Sequence, residues 1–132
     1  MVCSAALTLY RVVSVKRQFV AVDGGMGDNL EVALYGQRFE AAIADRPTAT
    51  GEPVTVVGRH CESGDVLIDG IALPDPRVGD VLAVPATGAY TFTMANNYNG
   101  TRRIPVVFAG DGRARLVVRR ETWDDLLARD VD

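Results

Sequence analysis

From residue 7 to residue 119 the chain repeats one pattern. A short run of β-branched, aliphatic or aromatic residues is followed by a turn of Gly, Pro or Asn. No helix-period stretches alternate with these runs, which excludes parallel βαβ units and leaves an all-β sandwich or barrel. Residues 7–16 and 19–23 read as two strands joined by Arg17-Gln18. Residues 31–35 and 37–44 read as two further short strands, and 53–59, 66–73 and 81–84 as three more. Asp69-Gly70 interrupts the run 66–73 and predicts a bulge or tight bend. Gly110-Asp111-Gly112 between 104–109 and 115–119 is the clearest hairpin signal. Only at the end does a helix signal occur. Thr122 is followed by acidic residues and an apolar pair, Leu126-Leu127, so residues 122–129 predict one short capped helix.

At 132 residues the chain has the size of a single domain, 1–132, able to bury about two-thirds of its unfolded surface. No apolar run approaches the roughly 20 residues that span a bilayer, so no membrane role is expected. Residues 1–9 lack a basic n-region and a cleavage site, and so do not read as a signal peptide. Two cysteines, Cys3 and Cys61, are too few for a disulfide scaffold and point to reduced thiols in the cytoplasm. A net charge of −3 argues against a nucleic-acid partner, despite local basic clusters at Arg102-Arg103 and 113–120. Nothing in the chain suggests metal ligands. Lys16 is the single lysine beside thirteen arginines, so chemistry that needs a lysine Schiff base has only that residue to use.

The stretch richest in chemistry is His60-Cys61-Glu62-Ser63-Gly64-Asp65, set between two apolar strands. Ionisable groups at the lip of a rigid sheet are where function concentrates. A thiol can give or take a proton or attack an electrophile, and a carboxylate can hold an ammonium group. The competing reading is a tight turn, with Gly64 at positive φ and Asp65 bonded to the local backbone.

Three stretches together resemble the C-terminal β-domain of diaminopimelate decarboxylase, a pyridoxal-phosphate enzyme. They are Phe19-Val20-Ala21-Val22-Asp23-Gly24-Gly25-Met26-Gly27-Asp28-Asn29, the His60 to Asp65 stretch, and Pro85-Ala86-Thr87-Gly88-Ala89-Tyr90. Ala33-Leu34-Tyr35-Gly36, Met94-Ala95 with Tyr98-Asn99, and Arg119-Arg120-Glu121-Thr122 also fit, in the family's order. The resemblance implies a two-domain dimer in which a (β/α)₈ barrel carries the cofactor lysine and the β-domain helps close the active site. Cys61 and Glu62 match a pair contributed across the dimer: a thiol that donates a proton near the cofactor, and a carboxylate that holds the substrate's distal amino group. Tyr90 matches a tyrosine lying against the cofactor, and Tyr35 one that contacts the substrate carboxylate.

Two departures stand against that pattern. Nothing in the 132 residues resembles the barrel or its lysine, so the isolated chain is expected to hold no cofactor, with pyridoxal phosphate present only if a barrel subunit is paired with it. Glu31 stands where the family has an arginine for the substrate carboxylate. A like charge there would repel that carboxylate by about 1–4 kcal/mol at 4 Å, so Glu31 is a candidate specificity position. Three readings follow. The chain is the β-domain of a decarboxylase, as a fragment or the small subunit of a split enzyme, whose site a separate barrel chain completes; it is a cofactor-free domain repurposed to bind a partner or small amino-acid-like ligand; or it catalyses a different step, and a homodimer or a barrel subunit is the expected partner. His60 is expected to orient its loop, and Trp123 with Leu126 and Leu127 to form the apolar face of the last helix.

Overall fold

The structure is a computed structural model that describes residues 2–131. Its strands are β1 (Leu7–Lys16), β2 (Phe19–Val22), β3 (Ala42–Ile43), β4 (Glu52–Val57), β5 (Val66–Leu73), β6 (Val81–Pro85), β7 (Val106–Gly110) and β8 (Arg113–Val118). Three helices of at most five residues accompany them: α1 (Glu31–Tyr35), α2 (Thr91–Met94) and α3 (Trp123–Leu127). Short 3-10 turns occupy Cys3–Ala5 and Tyr98–Gly100. The fold is all-β. Six strands in the order β3-β6-β1-β2-β4-β5 form one curled sheet, and β7 and β8 form a separate ribbon.

β1 explains the curl. Its first half, from Leu7 to Arg11, pairs with β6, while its second half, from Val12 to Lys16, pairs with β2. Early in the second half the register slips, because Val12 faces Val22 and Ser14 faces Ala21. One extra residue on one strand bends the strand and increases its twist. Side chains alternate across β1, so Thr8, Tyr10 and Val12 are buried while Leu7, Leu9 and Val13 are exposed on the other face. The buried face meets Val20 and Val22 of β2, Val54 and Val56 of β4, Leu67, Ile68 and Leu73 of β5, and Leu82 and Val84 of β6. Burying each of these side chains contributes about 1.5–3 kcal/mol.

The bulge expected at Asp69-Gly70 is present. Val56 faces Ile68 and Val54 faces Ile71, so β5 spends one extra residue there, and Gly70 takes φ +71°. The Gly110–Arg113 hairpin turns through Asp111 and Gly112, both at positive φ. α3 begins with the expected cap: Thr122 and Asp125 each accept the other's backbone N–H.

Two expectations need correction. Residues 31–35 are helix α1 and not a strand. Of residues 37–44 only Ala42 and Ile43 join the sheet.

Candidate active site

β4 ends at Val57 and β5 starts at Val66, so residues 58–65 must reverse the chain. Gly58 N–H donates to the Asp65 carbonyl at 2.8 Å, and Arg59 N–H donates to the Gly24 carbonyl at 2.9 Å. The hub is the buried Asp65 carboxylate. Its Oδ1 accepts Met26 N–H at 2.6 Å and its Oδ2 accepts His60 N–H at 2.8 Å. One side chain thereby fastens the 58–65 loop to the Gly24–Asn29 loop that follows β2. Close approach explains two glycines. A Cβ at Gly58 or at Gly25 would overlap the Asp65 carboxylate.

Beneath this hub lies a second buried carboxylate, Asp28, which accepts Gly25 N–H at 3.0 Å and lies 3.7 Å from the Arg59 guanidinium. Burial pushes the Asp28 carboxyl above its ordinary range, and the Arg59 charge opposes that shift. Burial, helped by the nearby Asp28 and Asp65 charges, also raises the Tyr10 phenol and keeps it neutral. The His60 ring is buried with neither nitrogen bonded to protein among the described residues. The backbone N–H of His60 is what ties the loop to Asp65.

The groups the loop displays are different in kind. Cys61 and Glu62 are exposed at its crest. Glu62 Oε1 accepts Gly64 N–H at 3.1 Å, and Oε2 accepts the Tyr98 O–H at 3.3 Å. Tyr98 packs edge-on against His60, with ring centroids 5.2 Å apart. Its turn is tied to the first loop by Asn96 N–H donating to the Gly27 carbonyl at 2.9 Å. Three segments far apart in sequence, 24–29, 58–65 and 96–100, thus form one assembly.

The other candidates form a second group. Glu31 opens α1, and its Oε1 accepts the Thr91 Oγ1–H at 2.8 Å. Thr91 follows Tyr90, so Glu31 braces the start of α2 beside that tyrosine. Tyr35 closes α1 and is 68% exposed, and Tyr90 is 63% exposed. The chain from Tyr90 to Tyr98 runs directly from this group to the first. The sequence reading did not single out Asp65 as an anchor or Tyr98 as a site residue. A carboxylate next to a strand start, and the Tyr98-Asn99 match itself, were the available signals.

Pyridoxal phosphate requires a lysine for its aldehyde. Lys16 pairs with Phe19 at the tip of the β1–β2 hairpin and is exposed. The length of β2, four residues or about 13 Å at ~3.3 Å per residue, separates that tip from the Gly24 loop. The residues of this chain therefore do not by themselves fit the cofactor.

The family model for the pyridoxal-dependent decarboxylase C-terminal sheet domain matches residues 1–88. Diaminopimelate decarboxylase from Actinosynnema pretiosum subsp. auranticum is 56% identical over 98% of this chain, and that from Bacillus subtilis is 50% identical over 99% of it. Each alignment covers 31% of the relative, so the chain spans about a third of the length of these curated proteins. A crystal structure of diaminopimelate decarboxylase from M. jannaschii in co-complex with L-lysine superposes with a TM-score of 0.90 at 33% identity, over 98% of this chain and 31% of that one. With the family model matching residues 1–88 and the relatives aligned along almost the whole chain, the chain belongs to the family of pyridoxal-dependent decarboxylase C-terminal sheet domains.

Proposed function

We propose that this chain is the sheet domain of a diaminopimelate decarboxylase-type enzyme, and that it lends Cys61, Glu62 and Tyr90 to an active site completed by a barrel, in a separate subunit or across a dimer. The observation that carries this reading is the contrast within one loop. Its backbone is fixed by the buried Asp65, while its crest presents Cys61 and Glu62 to whatever covers it.

Pyridoxal phosphate held by the barrel supplies the electron sink for the charge left by loss of CO₂. The chain's own residues do the rest of what is assigned here. The Cys61 thiol gives a proton to the ligand carbon that has lost its carboxylate. Glu62 accepts hydrogen bonds from a distal ammonium, which makes a small diamino acid the ligand class. Tyr90 and Tyr35 wall the ligand with their exposed rings, and Glu31 holds Thr91 so that Tyr90 keeps its place. Cys61 requires a reducing compartment such as the cytoplasm to remain a thiol, and both cysteines are free in the structure.

The test mixes the chain with the barrel portion of a diaminopimelate decarboxylase, cofactor and diaminopimelate, and measures CO₂ release. Turnover that requires the chain is expected. Cys61→Ala lowers kcat by about 10²–10⁴-fold, the usual worth of a positioned acid. Glu62→Gln raises KM. Turnover indifferent to the chain, or to both substitutions, contradicts the proposal.

A further inference from the structure

Tyr98 has no part in the chemistry assigned above, yet it touches both the displayed and the buried side of the loop. Its hydroxyl donates to Glu62 Oε2, and its ring edge rests on the buried His60. The backbone that carries it is held on several sides. Tyr98 N–H donates to Asn96 Oδ1 at 2.9 Å, and the Tyr98 carbonyl accepts Thr101 N–H at 3.2 Å and Thr101 Oγ1–H at 2.9 Å. Asn99 takes a left-handed φ of 54° to close that turn, a conformation asparagine tolerates better than most residues.

Glu62 is therefore gripped from two directions. Gly64 N–H takes one oxygen and the Tyr98 O–H takes the other. A carboxylate offers about four lone-pair directions, so two remain open and their direction is set by the grip. The Tyr98 contact, at 3.3 Å, is long for O–H···O. It has room to tighten when a ligand draws Glu62 into line, as hydrogen bonds in unliganded sites commonly do.

We infer that Tyr98 is a positioning residue, which through Glu62 sets where the distal ammonium of a diamino-acid ligand is received. The inference rests on the proposed placement of Glu62 in a decarboxylase site. The state of the phenol agrees with it. The Glu62 charge, chiefly, pushes the Tyr98 hydroxyl above the ordinary tyrosine range, so near neutral pH it remains a donor. A free acidic side chain on a mobile loop would sample many orientations and lose rotamer entropy on capturing an ammonium. Tyr98 and Gly64 meet part of that cost before the ligand arrives.

The variant that isolates this role is Tyr98→Phe, which keeps the ring on His60 and removes only the donor. Two measurements are needed. In the chain itself, with ¹³C-labelled tyrosine followed by NMR, Glu62→Gln should lower the Tyr98 phenol midpoint toward the ordinary tyrosine value. An unmoved midpoint overturns the contact. In the enzyme assembled with a barrel, Tyr98→Phe should raise KM for diaminopimelate and Ki for L-lysine about 10–150-fold with kcat within about twofold, the range expected for one hydrogen bond to a charged group. Inhibition by L-norleucine, which lacks the distal ammonium, should not change. If Glu62→Gln weakens L-lysine binding while Tyr98→Phe does not, the positioning role alone is overturned. If Glu62→Gln is itself silent toward L-lysine, the site reading fails and takes this inference with it.

Discussion

At the scale of single residues, Asp65 decides whether there is a site at all. Its two oxygens receive backbone N–H groups from Met26 and His60, contributed by two different loops, and it is 3% exposed. Replacing it by asparagine keeps the shape but trades one acceptor for an NH₂ group facing a donor. Leaving a buried donor unpaired costs about 1–3 kcal/mol. Asp65→Asn should therefore lower the unfolding free energy by that amount, read as a lower urea midpoint at unchanged m-value, with the largest amide-exchange increases at Met26 and in residues 58–65. A uniform increase across the sheet, or none, would place the anchor elsewhere. This role was not legible in the sequence. The motif placed Asp65 in a turn bonded to its own neighbourhood, which holds for His60, but Met26 is 39 residues away and no local pattern points to it. Exposed Cys61 and Glu62 were legible because chemistry-bearing residues at a strand lip stand out against the apolar runs on either side.

At the scale of elements, strands and hairpins followed from β-branched runs and turn residues, whereas α1 did not. Glu31-Val32-Ala33-Leu34-Tyr35 carries strand formers and is too short to show a 3.6-residue period. Gly36 supplies the missing signal: it sits at φ 64° and its N–H donates to the Val32 carbonyl at 2.9 Å, a left-handed helix stop of the kind glycine favours. A second element-scale link joins the site to the far ribbon. Glu121, just after β8, accepts Asn97 Nδ2–H at 2.6 Å, Arg103 N–H at 2.7 Å and Arg103 Nε–H at 2.6 Å. It thereby clamps both ends of the segment that carries Tyr98. The Arg103 hydrogen bond holds the Glu121 carboxyl down at about 2, well below its ordinary 4.5. A depressed folded-state pKa stabilises above the unfolded value and is lost as pH falls through the folded one. The clamp should be intact above pH 4.5 and weaken from there toward pH 2. Amide exchange and ¹⁵N relaxation should show residues 97–103 loosening across that window while the β1–β6 core holds, and Glu121→Gln should reproduce the loosening at neutral pH. Core and segment melting together would contradict this.

At the scale of the whole molecule, the sheet has one buried face and one that is not. Leu7, Leu9, Val13 and Phe19 are exposed along the outer side of β1 and β2, and Phe108, Leu116 and Trp123 are exposed on the ribbon and α3. The apolar face expected of the last helix is open to solvent within the chain, where Trp123 and Leu127 are 60% and 59% exposed. Exposed apolar side chains of this kind are what an interaction surface presents. They fit relatives about three times as long as this chain. Sequence patterning registered the inner faces and could not say what lies against the outer ones, because alternation reports burial only within the chain that carries it. We propose that the Cys61 crest belongs to an active site closed by a barrel. Iodoacetamide labelling read by mass spectrometry tests it with an internal control, since Cys3 and Cys61 are both exposed in the free chain. With the barrel present at about ten times its dissociation constant, roughly a tenth of the chain stays free, so Cys61 labelling should slow about tenfold while Cys3 labelling does not, and L-lysine should slow Cys61 further. Cys61 alkylated at its free-chain rate in an assembly that releases CO₂ would contradict the account.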